Sequence, residues 1–121
     1  MLSGLREVVS PDRSVRWRLA VDRVERSTDG GTSWTAATRL DSSAITAGSA
    51  PGPLVCWLVG RAGVVFLATD GVTFLQVTSP APIDLVAISA VDASSATVTA
   101  SDGRRFITTD GGGTWGLSTL R

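Results

Sequence analysis

Three aspartates, Asp29, Asp70 and Asp110, each precede glycine, and a carboxylate in such a loop is the first candidate for chemistry. Acidic loops hold Ca²⁺, but each of these segments carries a single carboxylate where an EF-hand-type site needs several in succession. The same group can accept hydrogen bonds from backbone N–H groups one to three residues ahead and so close a tight turn. That local role is the expected one, and no metal site is assigned. The chain has no His, which removes the commonest general base and the commonest transition-metal ligand. Glu occurs only as Glu7 and Glu25, and no pair of carboxylates stands apart by context as acid and base. No catalytic residue and no cofactor are assigned, and the chain is read as a non-enzyme.

Binding chemistry has other candidates. Trp17 lies between Arg16 and Arg18, and an aromatic flanked by guanidinium groups could stack on a sugar or a peptide side chain. On a strand, alternation would instead turn Trp17 inward and both arginines out, and Trp57 between Cys56 and Leu58 occupies nearly the same repeat position. Arg61, Arg104 and Arg105 fall in or beside turns, where loops place contacts but where solvated charges are also ordinary. Cys56 is the single cysteine, so no intrachain disulfide exists, and its apolar neighbours suit a small buried residue.

Charge is balanced, with 11 Arg against 11 Asp plus Glu. Arg13, Arg16, Arg18, Arg23 and Arg26 cluster, but Asp12, Asp22, Glu25 and Asp29 interleave with them, so the basic stripe of a nucleic-acid binder is missing. Hydrophobic residues make up 43% and charged residues 18%, a globular composition. The first ten residues lack a basic region followed by an apolar stretch, and the Leu54 to Val59 run is far below the ~18 residues of a membrane helix. No signal peptide and no membrane insertion are expected, and the segment itself carries no address.

The elements that position these residues follow from internal repetition. Ser27-Thr28-Asp29-Gly30-Gly31-Thr32-Ser33-Trp34 recurs as Thr108-Thr109-Asp110-Gly111-Gly112-Gly113-Thr114-Trp115. A shortened copy lies between them, with Ala68, Asp70, Gly71 and Phe74 at the matching places. The aspartates are 41 and then 40 residues apart. Aligned on them, Ser14 to Val21 matches Val55 to Gly60 and Ala96 to Ala100, and Leu5 to Val9 matches Ile45 to Ser49 and Val86 to Ala90. Each unit reads as four short strands, with hairpin turns at Gly60-Arg61-Ala62-Gly63 and Ser101-Asp102-Gly103. In the first unit Val21-Asp22-Arg23 fills that place without glycine. Four-stranded units every ~40–45 residues are the mark of propeller blades. The fold class is therefore all-β: one β-propeller domain, 1–121, of three four-stranded antiparallel blades at about 1–40, 41–81 and 82–121. Within each turn, the glycines supply positive φ, and Trp34, Phe74 and Trp115 are expected to fold inward and bury a large area between blades.

The motif Ser/Thr-x-Asp-x-Gly-x-Thr-Trp resembles the Asp-box repeat of sialidases, sortilin-type receptors and some glycoside hydrolases. Its denser Ser-Thr-Asp-Gly-Gly form is most similar to photosystem II stability/assembly factor repeats and to the C-terminal region of bacterial membrane-anchored anti-sigma-like proteins. The resemblance spans nearly the whole chain, and the middle copy departs from it at Ala68 and Phe74 and by one residue fewer. It implies structural turns at Ser27, Asp29, Gly31, Trp34, Asp70, Gly71, Phe74, Thr108, Asp110, Gly112 and Trp115, away from the ligand face, and an extracytoplasmic setting. Sialidase chemistry is set aside, since it uses a Tyr nucleophile and the chain has no Tyr.

Propellers commonly have four to eight blades, so an open arc of three is expected to expose two apolar faces. Closure as a six-bladed homodimer answers this, with a closed three-bladed monomer as the alternative. The small residues Ala47, Gly48, Ser49, Ala87, Ser89 and Ala90 would suit the narrow hub of the latter. The function expected is a binding or scaffold module for a protein or peptide partner, within a larger extracytoplasmic protein. A lectin-like carbohydrate binder and a fragment or designed assembly without ligand are the alternatives.

Overall fold

The computed structural model describes residues 7–20, 22–40 and 44–117. Leu5 and Val21, used in aligning the units, lie outside them. Among the described residues there are twelve strands: β1 (Glu7–Val9), β2 (Arg16–Leu19), β3 (Arg23–Ser27), β4 (Thr35–Arg39), β5 (Ile45–Ser49), β6 (Cys56–Gly60), β7 (Val65–Ala68), β8 (Phe74–Gln76), β9 (Leu85–Ala90), β10 (Ala96–Ala100), β11 (Arg105–Thr108) and β12 (Gly116–Leu117). They form three sheets of four strands in chain order, sheet 1 from β1–β4, sheet 2 from β5–β8 and sheet 3 from β9–β12.

Every pairing is antiparallel, and the registers superpose from sheet to sheet. Trp17 lies opposite Val8 and Arg26, Trp57 opposite Ser49 and Leu67, and Thr97 opposite Ser89 and Ile107. Alternation explains the strand sequences. In β10 the apolar Ala96, Val98 and Ala100 are buried while Thr97 and Thr99 are half-buried on the other face. Strand β6 is buried at all five residues, because sheet 2 is covered on both sides.

Two apolar clusters mark the seams. The first joins Val8, Trp17 and Val24 of sheet 1 to Ile45, Cys56, Leu58, Ala68 and Phe74 of sheet 2. The second joins Trp57, Val59 and Val65 of sheet 2 to Leu85, Ala96, Val98, Ala100 and Phe106 of sheet 3. Side chains thus leave β6 alternately toward the two neighbours, Cys56 and Leu58 one way and Trp57 and Val59 the other. Neither cluster joins sheet 3 to sheet 1.

The end faces correct one expectation. Sheet 1 turns Arg16, Arg18 and Glu25 outward, tied into ion pairs with Glu7 and Arg23. Sheet 3 turns out Thr97, Thr99 and Arg105 beside Ile107. Among the described residues, neither end is the broad apolar surface expected of an open arc.

Candidate functional site

The carboxylate of the first Asp turn takes only short-range bonds, while Gly30 N also ties the turn to the Ser14 carbonyl at 3.0 Å. Asp29 Oδ1 accepts from Ser27 Oγ at 2.7 Å, Thr32 N at 3.0 Å and Ser33 N at 2.9 Å, while Oδ2 accepts from Ser33 Oγ at 2.6 Å. Ser27 Oγ in turn accepts from Gly31 N at 2.8 Å. The third turn repeats the pattern: Asp110 accepts from Thr108 Oγ1 (2.8 Å), Thr114 N (2.9 Å) and Thr114 Oγ1 (2.7 Å), and Thr108 Oγ1 accepts from Gly112 N (2.9 Å). The shortened middle turn keeps the backbone part, Val72 N (3.0 Å) and Thr73 N (2.7 Å) on Asp70 Oδ1. Ala68 has no hydroxyl to add.

These bonds favour the ionised form. The Ser33 hydroxyl and N–H, with the Ser27 hydroxyl, hold Asp29 far below the usual carboxylate range. Asp110 is held at about 2, chiefly by the hydroxyl and N–H of Thr114. Asp70 is lowered by Thr73 N and Val72 N. Asp12, in the β1–β2 turn, is lowered by Ser14 N and the hydroxyls of Ser10 and Ser14. Carboxylates with their lone pairs spent on their own turns have little left for a cation. Among the described residues, no group of three or more His, Cys, Asp or Glu could hold a metal ion.

The aromatics match the expectation only in part. Phe74 is buried in the first seam, but Trp34 and Trp115 are only half-buried. Trp34 sits on the outer face of sheet 1 with the Arg18 guanidinium 4.1 Å over its ring, and its Nε1 donates within its own turn to the Gly31 carbonyl (3.1 Å). Trp115 meets Trp57 edge-on at 6.3 Å and donates to the Thr78 carbonyl at 2.7 Å. The large wedges are Trp17 and Trp57, both 0% exposed. Trp17 Nε1 crosses the first seam to the Gly71 carbonyl (2.8 Å), and Trp57 Nε1 crosses the second to the Asp92 carbonyl (3.0 Å). Trp17 is therefore not ligand-facing. Strand alternation seats it in the seam, with Arg26 5.6 Å from its ring.

Other cross-seam ties carried no sequence signal, because each joins residues far apart in the chain. Arg26 Nη2 donates to the Pro53 carbonyl at 2.7 Å, and Thr38 Oγ1 donates to the Val72 carbonyl while accepting from Phe74 N. Thr46 Oγ1 donates to the Leu85 carbonyl, Ser49 Oγ accepts from Ala90 N at 3.0 Å, and Ala62 N donates to Asp84 Oδ1 at 2.9 Å. Cys56 is buried in the first seam, and burial pushes its thiol up, away from reactivity.

Arg61 and Arg104 lie at the end of the sheets opposite the Asp turns. Arg61 opens the 3₁₀ turn Arg61–Gly63 between β6 and β7 and is exposed. Arg104 closes the β10–β11 turn, 2.7 Å from Asp102 and 5.3 Å over the Phe106 ring. Arg105 follows on β11, exposed and opposite Thr99. The loop end thus presents two turn arginines on adjacent sheets, with Arg105 on the outer face of the second.

No family model and no curated protein matches the chain. Solved structures do. "YCF48 bound to D1 peptide" is 26% identical with a TM-score of 0.77, covering 95% of this chain and 39% of that one. YCF48 from Cyanidioschyzon merolae is 22% identical with a TM-score of 0.75, covering 93% and 36%. An ancestral GH74 enzyme is 15% identical with a TM-score of 0.64, covering 95% and 19%. The chain spans well under half the length of each. With three stacked four-stranded sheets and these likenesses, the fold is that of β-propeller blades.

Proposed function

We propose that the chain is a non-enzymatic propeller module that presents the turns at its Arg61 and Arg104 end to a peptide or protein segment. The likeness to YCF48 solved with a bound peptide, at 26% identity over 95% of this chain, carries the reading. The carboxylates support it: every one with a resolved shift is moved down, whereas a general acid near neutral pH needs its pKa raised. Against the carbohydrate alternative, Trp17 is buried and Trp34 is covered by Arg18, so neither offers a free aromatic platform. Placement in a larger extracytoplasmic protein belongs to the same proposal and rests on the sequence resemblance alone.

A displayed peptide library panned against the immobilised 121-residue chain tests it. Hits measured by calorimetry should bind at micromolar affinity, and R61A/R104A should weaken them by roughly tenfold or more. Asp29→Asn, at the other end, should leave affinity unchanged. An empty selection together with specific binding on a glycan array would replace this reading with the lectin one.

A further inference from the structure

The superposed registers allow the two faces of each sheet to be compared position by position. On the face turned toward the preceding sheet, sheet 2 carries Cys56, Leu58 and Phe66, and sheet 3 carries Ala96, Val98 and Phe106. The equivalent places in sheet 1 hold Arg16, Arg18 and Glu25. On the face turned toward the following sheet, sheet 1 carries Trp17, Leu19 and Val24, and sheet 2 carries Trp57, Val59 and Val65. Sheet 3 holds Thr97, Thr99 and Arg105 there. At these positions the change from apolar to polar falls at the two ends of the stack; the one neighbouring position that departs holds Arg26 in the first seam and Ile107 on the outer face of sheet 3, where sheet 2 has Leu67.

We infer that sheets 1 and 3 are caps that end the stacking, so that the chain is a monomeric open arc and its two ends do not close a ring with a second copy. Terminal units of stacked-repeat proteins carry polar outer faces for this physical reason: nothing covers them, and water must solvate them. A sheet laid over Arg18 and Glu25 would strip solvent from a network whose members are charged, and desolvating such ions costs more than their pairing returns unless new partners are supplied. Sheet 3 brings threonines and one further arginine, which supply no matching carboxylates. The first strand of sheet 3, β9, is open to solvent at Ala87 and Ser89, with Val86 49% exposed, whereas β5, on which β9 packs, is half-buried from Thr46 to Ser49. The arc is open on the side of sheet 3.

Size-exclusion chromatography with light scattering tests this. The unaltered chain should keep the mass of one chain, 12.5 kDa, from micromolar to submillimolar concentration. A chain bearing R18V/E25F and T97W/T99V, which gives each cap the residues of an inner face, should shift to a two-chain mass. Because those four changes could disturb folding, the two pairs are also made separately and mixed. Each alone should stay monomeric, and the mixture should form a one-to-one complex. A two-chain mass for the unaltered chain would overturn the inference, and so would a mixture that stays monomeric while both proteins are folded by circular dichroism.

Discussion

A carboxylate that accepts four hydrogen bonds from its own turn is a poor base, and this sets how acid acts on the chain. Asp29 and Asp110 have folded pKa values below the ordinary value near 3.8, Asp110 at about 2. For a depressed carboxylate, the stabilising contribution is fully present above the unfolded pKa and is lost as pH falls through the folded one. The thermal midpoint should therefore hold from neutral pH down to about 4, fall from there to about pH 2 as Asp110 and Asp29 lose their advantage, and go on falling below that for Asp29. Asp110→Asn should lower the midpoint at pH 7 and flatten part of that decline, as a pH series of thermal melts would read. A variant with the same acid slope as the parent would contradict the turn assignment. These turns were legible in the sequence because every partner of the Asp29 and Asp110 carboxylates lies within four residues. The Trp17 bond to Gly71 was not, since 54 residues separate them.

At the level of elements, the middle sheet is the most legible and the first the least. The unbroken apolar run of β6 announces a strand covered on both faces, and Gly60 to Gly63 marks the hairpin that follows. Gly63 has a φ of +83°, and a Cβ there would sit 1.9 Å from the Ala81 carbonyl oxygen. Gly103, in the matching turn of sheet 3, has a φ of +92° with nothing within 4 Å of such a Cβ. Gly103→Ala should cost about 1 kcal/mol or somewhat more through backbone strain alone. Gly63→Ala should cost about 2–4 kcal/mol, because the clash adds to the strain. Urea titrations of the two variants compare them directly, and equal losses would mean that the Ala81 contact is not made. The first hairpin lacks glycine and closes through Ala20 N on the Arg23 carbonyl, which explains why its turn was faint in the sequence.

For the whole molecule, the repeat conveyed the fold class, four strands per unit and the spacing of the Asp turns. It aligned Trp17 with Trp57, and alternation turned Trp17 inward, but it did not convey that this pair is the more deeply buried one. Alignment on the aspartates drew attention to Trp34 and Trp115, while burial depends on which strand face meets a neighbouring sheet. It did not convey the polar ends either, since Arg16, Arg18 and Glu25 stand out only once the registers place them at the positions equivalent to Cys56, Leu58 and Phe66 of sheet 2. Two seams, each with one fully buried tryptophan bonded across it, are what make three small sheets one body. Hydrogen exchange of the four indole N–H groups, followed by NMR, tests that claim. The indoles of Trp17 and Trp57 should exchange slowly, while those of Trp34 and Trp115 should exchange fast at their exposed edges. Rapid exchange at Trp17 and Trp57, or protection confined to Trp34 and Trp115, would contradict the account.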